Sequence, residues 1–144
     1  MHHNELRRVG IAVVIARGHC LIGPRNLPSR PDPIFEFPGG KCEYGETHKQ
    51  AALRECLEET GLDVEPVALM IAKQHRYNVR TLDIEFWECR LSPEPYDDQP
   101  LPPPTAPFFW TPLSQLGDYP VFPANEEIVQ GLTNRHDRHV SGNA

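Results

Sequence analysis

The sequence predicts a single mixed α/β (α+β) domain, and three observations support this prediction. The chain has 144 residues, enough for one hydrophobic core but too few for two comfortable ones. Apolar runs of strand length recur along it, and between them lies one segment with helical periodicity and well-marked ends. We expect residues 1–8 to form an N-terminal extension, residues 9–135 the domain, and residues 136–144 a flexible C-terminal tail.

The composition is typical of a soluble protein that does not grip long nucleic acids. The chain is 39% hydrophobic and 24% charged, with a formal net charge of −6. A chain with a net negative charge lacks the large basic surface that binds a nucleic-acid backbone. If the substrate is a polyphosphate, cations close to the site must neutralise its negative charge. No apolar run approaches the ~18 residues that span a membrane, and no signal-peptide cleavage site follows the first one. With no CxxC pair among its cysteines, the chain is expected to be cytoplasmic with reduced thiols.

The first elements are expected to be a hairpin and a basic loop. Residues 9–16 are β-branched and continuous, which is typical of a strand covered on both faces. Residues 19–23 form the second strand after a turn at Arg17. Residues 24–33 are proline-rich and contain Arg25, so they predict a positively charged loop that could meet phosphate.

A short extended stretch and a glycine pair precede the clearest helix. Residues 35–37 are followed by Pro38, and the backbone at Gly39-Gly40 can approach a ligand or a metal closely. The helix is predicted over residues 47–60. Its first residue and Gln50 have capping-box spacing, and Gly61 is placed to end it in a left-handed conformation.

The second half of the chain predicts further strands, a long loop and a closing helix. The elements are strands near residues 64–74, 81–91 and 108–110, a helical turn over 112–116 and a helix over 125–134. Residues 92–107, here called the proline-rich loop, can hold neither helix nor ladder. We interpret this loop as lying beside the site; a ligand for a proline-recognition domain is the alternative.

Three acids on the central helix are the first indication of chemistry. Glu55, Glu58 and Glu59 have i, i+3 and i+4 spacing, which places them within an arc of about 100°. The opposite side carries the apolar residues Leu53, Cys56 and Leu57. Like charges at this spacing destabilise a helix by roughly 0.2–0.5 kcal/mol per pair. A divalent cation that takes these carboxylate oxygens as ligands would turn the repulsion into a net attraction. On spacing alone, a solvated acidic face is the simpler interpretation.

The segment around these acids resembles a known motif. From Gly40 the chain reads GKCEYGETHKQAALRECLEETGL, which resembles the Nudix box GX5EX7REUXEEXGU, where U is aliphatic. The matching residues are Gly40, Glu46, Arg54, Glu55, Glu58, Glu59, Gly61 and Leu62. Cys56 takes a place where an aliphatic residue is usual, and it keeps the apolar character.

The resemblance to Nudix hydrolases implies a fold, a cofactor and roles for residues. It implies an α/β/α sandwich around a mixed sheet, with Mg²⁺ as cofactor and Mn²⁺ able to substitute. The implied metal ligands are Glu55, Glu58, Glu59 and the backbone carbonyl of Gly39. The implied catalytic residues are Glu55 as ligand or base, Glu58, Arg54 as the orienter of a glutamate, and Glu46 as a supporting acid.

The likeness extends to the MutT-like branch, whose members hydrolyse 8-oxo-dGTP to the monophosphate and pyrophosphate. Residues 35–41 and 122–126 look like the corresponding segments of that branch. The implied substrate-binding residues are Asn125 with the backbone of Ala124 at the base, Phe37 in the base pocket, and Arg25 and Lys41 at the sugar and phosphates. An amide has the donor and the acceptor that an oxidised purine edge requires. The alternative for Asn125 is a helix N-cap.

One departure from the branch and several alternatives remain. MutT-like enzymes take a further metal-binding glutamate from the loop before the last strand, and this chain has no acid at the matching offset. Glu94, Asp97 or Asp98 are the candidates to replace it.

The alternative substrates are a pyrimidine nucleotide, ADP-ribose or a dinucleotide polyphosphate, and the alternative of another class is a non-catalytic nucleotide-sensing domain. The partner is expected to be a small nucleotide, without long nucleic acid or membrane, and the protein a monomer or homodimer.

Overall fold

The computed structural model describes residues 5–142 and has seven strands, two α-helices and a 3-10 helix within that range. In chain order they are β1 (Glu5–Ala16), β2 (His19–Arg25), β3 (Ile34–Glu36), β4 (Gly39–Lys41), α1 (His48–Thr60), β5 (Val64–Tyr77), β6 (Arg80–Leu91), β7 (Phe109–Pro112), the 3-10 helix (Leu113–Asp118) and α2 (Pro123–Gly142). The start of the expected extension, residues 1–4, and the last two residues of the expected tail lie outside the described residues.

The strands form one mixed sheet. Its order is β3-β2-β1-β6-β5, with β4 also paired to β1 and β7 to β2. The long central strands β1 and β6 are parallel, from Glu5 opposite Arg80 to Val14 opposite Cys89. All the other pairings between named strands are antiparallel. The mixed sheet expected from the resemblance is therefore confirmed.

Each face of the sheet is covered by one α-helix. On the α1 face, Ala12 and Val14 pack with Cys56 and Leu91 in one buried cluster. On the α2 face, buried residues of the sheet and helix form the other cluster, which includes Val13, Phe86, Ile128 and Leu132. Burial of β1 from both sides explains its continuous apolar sequence, because neither set of alternating side chains faces water.

Helix α1 begins and ends where the sequence predicts. The Thr47 hydroxyl accepts from the Gln50 backbone N–H, the Gln50 side chain accepts from the Thr47 N–H, and Gly61 adopts the left-handed conformation with φ of 74°. The helix lies very close to β1: a Cβ on Gly10 would be 2.0 Å from the carbonyl oxygen of His48. Since this contact is backbone against backbone, the position of α1 depends on a residue without a side chain.

The buried side of α1 differs from the prediction at one position. His48, Ala51, Ala52, Cys56 and Thr60 are its buried residues. Leu57, which was expected on the core side, is 45% exposed. Successive residues of a helix are rotated by about 100° around its axis. Because the apolar stripe through Cys56 is narrow, the next residue, Leu57, points away from the sheet.

Three other elements differ in extent from the prediction. Strand β4 was not predicted, because three residues with two glycines show no strand periodicity. Helix α2 begins at Pro123 rather than Asn125 and continues past Asn134 to Gly142. Strand β1 begins at Glu5, within the part expected as an extension.

The proline-rich loop has neither helix nor strand, as predicted, but it is firmly attached to the sheet. Arg17, in the turn between β1 and β2, donates to the carbonyl oxygens of Tyr96 and Gln99. At the other end of the loop, the Trp110 indole donates to the Pro102 carbonyl at 2.8 Å. Among the helices of the described chain, none has the length and apolar character to cross a membrane.

Candidate active site

The backbone of β4 runs against the acidic side of α1. The Gly39 N–H donates to Glu59 Oε1 at 2.9 Å. A Cβ on Gly40 would lie 2.5 Å from the carboxyl carbon of Glu55, so only glycine fits beside that carboxylate without displacing it. The structure thus brings together Gly39, Glu55 and Glu59, three of the residues expected to hold metal.

Arg54 connects the remaining acids of this site. Its Nε and Nη2 donate to the two carboxylate oxygens of Glu46, at 2.7 and 2.9 Å. Its Nη1 donates to Glu55 at 2.9 Å and to Glu58 at 3.2 Å, and its Nη2 also donates to the Lys41 carbonyl at 3.1 Å. The pair with Glu46 raises the pKa of Arg54, and the hydrogen bonds from Arg54 lower the pKa of Glu46 to about 2.

Glu59 has a different environment from Glu46. Burial raises the pKa of Glu59 to about 7, the hydrogen bond from Gly39 lowers it, and the nearby charges of Glu55 and Glu36 raise it further. No arginine or lysine contacts its carboxylate at salt-bridge distance among the described residues. This end of the site therefore has an excess of negative charge that a cation would offset.

The acids fit a divalent cation in chemistry and charge. Carboxylate oxygens on successive turns of one helix are hard donors of the kind that Mg²⁺ prefers. Within residues 5–142, however, no three His, Cys, Asp or Glu side chains converge on one point. Glu55 and Glu58 turn towards Arg54, and Glu59 turns towards Gly39. Because the Glu58 side chain is 58% exposed, it can reorient without disturbing the core.

Glu36 is a residue of the site that the sequence analysis did not single out. It accepts from Arg25 Nη1 at 3.3 Å, and its charge acts on Glu59. Burial raises the pKa of Glu36, although the guanidinium of Arg25 opposes the shift. Phe35 and Phe37 belong to the core on the α2 face, so alternation along β3 turns Glu36 to the α1 face. This alternation was the available signal in the sequence.

Asn125 lies in the first turn of α2, with its side chain buried. It is the third residue of the helix, and its backbone N–H donates to the Phe122 carbonyl at 2.8 Å. Its exposure is 8%, and its amide makes no hydrogen bond with any other described residue. The N-cap alternative is wrong, because the helix has already begun at Pro123.

The other expected substrate-binding residues lie in three different environments. Phe37 is 4% exposed within the cluster on the α2 face, against which Ala124 also packs. The guanidinium of Arg25 lies 5.9 Å from the ring centroid of Phe122, between Glu36 and the start of α2. Lys41 is exposed at the end of β4. Arg25 therefore connects the acidic part of the site with the segment that carries Asn125.

Glu94 of the proline-rich loop lines a cavity of about 640 Å³ together with Gly61, the residue that ends α1. Glu94 and Asp97 line a cavity of about 140 Å³ beside Ala16 and Arg17. Ile11, the partner of Gly39 on β1, is five residues before Ala16, or about 16 Å along the strand. This distance argues against Asp97 as a replacement for the missing glutamate, whereas Glu94 stays a candidate because it also lines the cavity at Gly61.

An aromatic residue, Phe108, lies between the proline-rich loop and β7. The Phe108 ring packs over Gly23, where a Cβ would lie 2.8 Å from it. Gly23 is paired with Glu36 across β2 and β3. Phe108 consequently shields the α1 face of these strands next to Glu36.

Comparison with known proteins identifies the family. The model of the NUDIX domain matches residues 6–132. The 8-oxo-dGTP diphosphatase of Escherichia coli K12 is 34% identical over 132 residues, which cover 88% of this chain and 98% of that protein. The CTP pyrophosphohydrolase of the same organism is 25% identical over 126 residues, covering 85% of this chain and 88% of that protein.

Solved structures show the same fold. The solution structure of the E. coli ORF135 protein matches with a TM-score of 0.68 and 22% identity, covering 88% of each chain. Together, the family match over most of the chain, the 34% identical relative and the acids along α1 have one interpretation. The chain belongs to the Nudix family and is a Nudix hydrolase.

Proposed function

We propose that this protein is a nucleoside triphosphate diphosphatase that hydrolyses 8-oxo-dGTP, or a related oxidised purine deoxynucleotide, to the monophosphate and pyrophosphate. The observation that carries the proposal is the Asn125 side chain: the residue is only 8% exposed, and its amide has no hydrogen-bond partner among the described residues. The similarity to an 8-oxo-dGTP diphosphatase over nearly its whole length supports it.

The Asn125 amide has the chemistry to read a purine edge. The amide is not among the fully buried side-chain atoms that lack a partner in the described chain, so solvent reaches it and the base of a nucleotide could do the same. The amide offers one acceptor and two donor hydrogens, which complement a ring carbonyl and a ring N–H. The Ala124 backbone and the Phe37 ring lie in or against the same α2-face core and would complete the base pocket.

The acids of α1 would hold the metal. We assign Glu55, Glu58, Glu59 and the Gly39 carbonyl as ligands of Mg²⁺, which Mn²⁺ would replace. When bound, the metal supplies charge neutralisation on the phosphate oxygens and a bound water of lowered pKa.

The chain's own residues position the reacting groups. Arg54, itself held by both oxygens of Glu46, orients Glu55 and Glu58. The Gly39 N–H orients Glu59. We assign Glu55 as ligand or as the base that accepts a proton from the attacking water. The water oxygen would bond to phosphorus as the bridging P–O bond breaks, and the bridging oxygen of the departing phosphate group would take the electron pair.

Basic residues near the acids supply the local charge that a polyphosphate needs. Arg25 is held on one side by Glu36 and on the other by Phe122, yet its side chain is 58% exposed. Lys41 is exposed at the end of β4. Both would bind sugar or phosphate oxygens in a protein whose net charge is −6.

A pyrimidine nucleotide is the second candidate substrate. The similarity to a CTP pyrophosphohydrolase over 85% of this chain favours it. The two candidates share the carboxylates and differ at the base, so the Asn125 amide is the group that would discriminate between them.

A release assay with a nucleotide panel tests the proposal. Magnesium-loaded parent, Asn125→Ala and Asn134→Ala would be compared on 8-oxo-dGTP, dGTP, CTP and ADP-ribose. Asn134 is exposed on the same helix and serves as the matched control. We expect the parent to prefer 8-oxo-dGTP, Asn125→Ala to lose kcat/KM on it by roughly tenfold or more, and the control to be unchanged. A parent that prefers CTP, or an Asn125→Ala variant with unchanged selectivity, would overturn the substrate assignment.

A further inference from the structure

Strand β5 forms an open edge of the sheet. It is the last strand in the sheet order, and among the described strands it pairs with β6 alone. The other side of this 14-residue strand therefore presents backbone N–H and C=O groups to which a further strand could hydrogen-bond.

The middle of β5 is apolar and exposed. From Val67 to Ala72 the strand reads Val-Ala-Leu-Met-Ile-Ala, without a charged residue. Val67 is 51% exposed and Leu69 is 45% exposed. Leu69 lies opposite Trp87 of β6, which packs against the buried cluster on the α1 face, so Leu69 is on that face as well. An exposed apolar stretch on an open sheet edge is typical of a contact with another chain.

Two opposite charges flank this apolar stretch symmetrically. Glu65 lies four residues before Leu69, and Lys73 lies four residues after it. Counted along β6, the partners of Glu65 and Lys73 are each three positions from the partner of Leu69, because each half of the segment contains one of the two register shifts. The two halves therefore have the same length and could run side by side in opposite directions.

Glu65 and Lys73 lie on the same face of the sheet. Lys73 is opposite Ile84 of the α2-face cluster, and its Nζ lies 3.6 Å from Glu127 of α2. Glu65 is opposite Arg90, which alternation from Ile84 also places on the α2 face, and it accepts from Arg90 Nε at 2.6 Å. The side chains of Glu65 and Lys73 are 44% and 25% exposed, so both can meet a further partner. This arrangement makes the edge self-complementary, which an interface between two identical copies requires and an interface with a foreign chain does not.

We propose that β5 is a dimerisation edge, which pairs antiparallel with β5 of a second copy of this chain. A two-fold axis at the middle of the pair places Leu69 opposite its own copy and Glu65 opposite Lys73 of the second copy. Since the axis is perpendicular to the sheet, each face continues into the same face of the second copy, and the opposite charges meet on the α2 face twice in the dimer. On the α1 face, the two exposed Leu69 side chains cover each other beside Trp87. This dimer does not depend on the substrate proposed above.

The first experiment exchanges the two charges. Sedimentation equilibrium would compare the parent with Glu65→Lys, Lys73→Glu and the double variant that carries both substitutions. Asp118→Lys, at an exposed position at the end of the 3-10 helix, is the control. We expect the parent and the control to be dimers, each single variant to have a Kd raised at least about tenfold, and the double variant to have a Kd within about threefold of the parent.

The double variant separates pairing between copies from pairing within one chain. The exchange restores opposite charges across the two-fold axis, whereas Arg90 and Glu127, the partners within the chain, would then each meet a like charge. Recovery of the dimer therefore reports the contact between copies. A parent that stays monomeric at about 100 μM, equal Kd values in all variants, or a double variant as weak as the single ones would overturn the proposal.

The second experiment cross-links the centre of the interface. Directly opposite residues of antiparallel strands have Cα atoms about 4.5–5.5 Å apart, which a disulfide can span. Leu69→Cys and the control Val67→Cys would be oxidised with oxidised glutathione in a Cys42→Ser background, since Cys42 is the partly exposed native thiol. In the proposed register Val67 is four residues, or about 13 Å, from its own copy. We expect a disulfide-linked dimer for Leu69→Cys alone, and no cross-link, or equal cross-linking at both positions, would refute this register.

Discussion

Arg54 and Glu46 form a two-point pair, in which Nε and Nη2 of the guanidinium donate to both carboxylate oxygens at 2.7 and 2.9 Å. The pair fixes the plane of the guanidinium, so the remaining nitrogen, Nη1, has a set direction towards Glu55 and Glu58. Glu46 therefore acts on the α1 carboxylates through Arg54, without touching them itself.

Replacing Arg54 by lysine tests this relationship. An ammonium group cannot bond both oxygens of Glu46 and also orient Glu55, so we expect kcat to fall about tenfold to hundredfold with the fold retained. Steady-state kinetics and circular dichroism would measure the two effects. Arg90→Lys, at the exposed pair with Glu65, is the control. Full activity in Arg54→Lys would show that charge alone is sufficient.

Glu46→Gln should change stability in a way that depends on pH. Arg54 lowers the pKa of Glu46 to about 2, whereas an unfolded glutamate titrates near about 4.3. The depressed pKa stabilises the folded state above the unfolded pKa, and this contribution is lost as the pH falls through the folded pKa. The destabilisation by Glu46→Gln should be largest near neutral pH and shrink from about pH 4.5 towards pH 2. Urea unfolding of both proteins across this range measures it, and exposed Asp98→Asn should show a smaller pH dependence.

Gly10→Ala should displace α1. The added methyl would lie 2.0 Å from the His48 carbonyl and 2.8 Å from the Ala52 nitrogen, both of them backbone atoms. We expect a loss of roughly 1–3 kcal/mol in the free energy of unfolding, together with lower activity. Gly131→Ala is the matched control, because nothing lies within 4 Å of its Cβ position in α2. It should stabilise the protein by roughly 0.5–1 kcal/mol, and a similar gain for Gly10→Ala would contradict the close approach.

Cys42 should be the most reactive of the four thiols in the folded protein. Burial raises the pKa of Cys20 and of Cys89 to about 12 and that of Cys56 to about 11. Burial also raises the pKa of Cys42, but this residue is partly exposed. Brief alkylation at pH 8 followed by mass spectrometry should give modification at Cys42 alone, and all four sites should react in denaturant. Rapid labelling of Cys56 in the native state would refute the buried packing of α1.

The helix and its motif could be predicted because their determinants are local. Thr47, Gln50 and Gly61 define the ends of α1 through bonds within one turn, and the acidic face follows from the helical period. The hairpin at Arg17 was predictable for the same reason. These features require no knowledge of which elements meet in space.

The parts that were missed depend on contacts between distant segments. Glu36 approaches Glu59 only because β3 and α1 are brought to the same side of the sheet. Leu57 is exposed because only a narrow stripe of α1, through Ala52 and Cys56, is buried against the sheet. Strand β4 forms because it pairs with β1, and the sequence of its own three residues does not predict this pairing. Tertiary packing determines all three features, and the propensities of the local sequence do not encode that packing.

The attachment of the proline-rich loop to Arg17 has a consequence for how the protein could change. The guanidinium holds main-chain oxygens of Tyr96 and Gln99, and every amino acid supplies such an oxygen. Side chains along the loop could therefore be exchanged while its path is preserved. This makes the segment a natural place for evolution, or for a protein engineer, to install new recognition groups without rebuilding the scaffold beneath it.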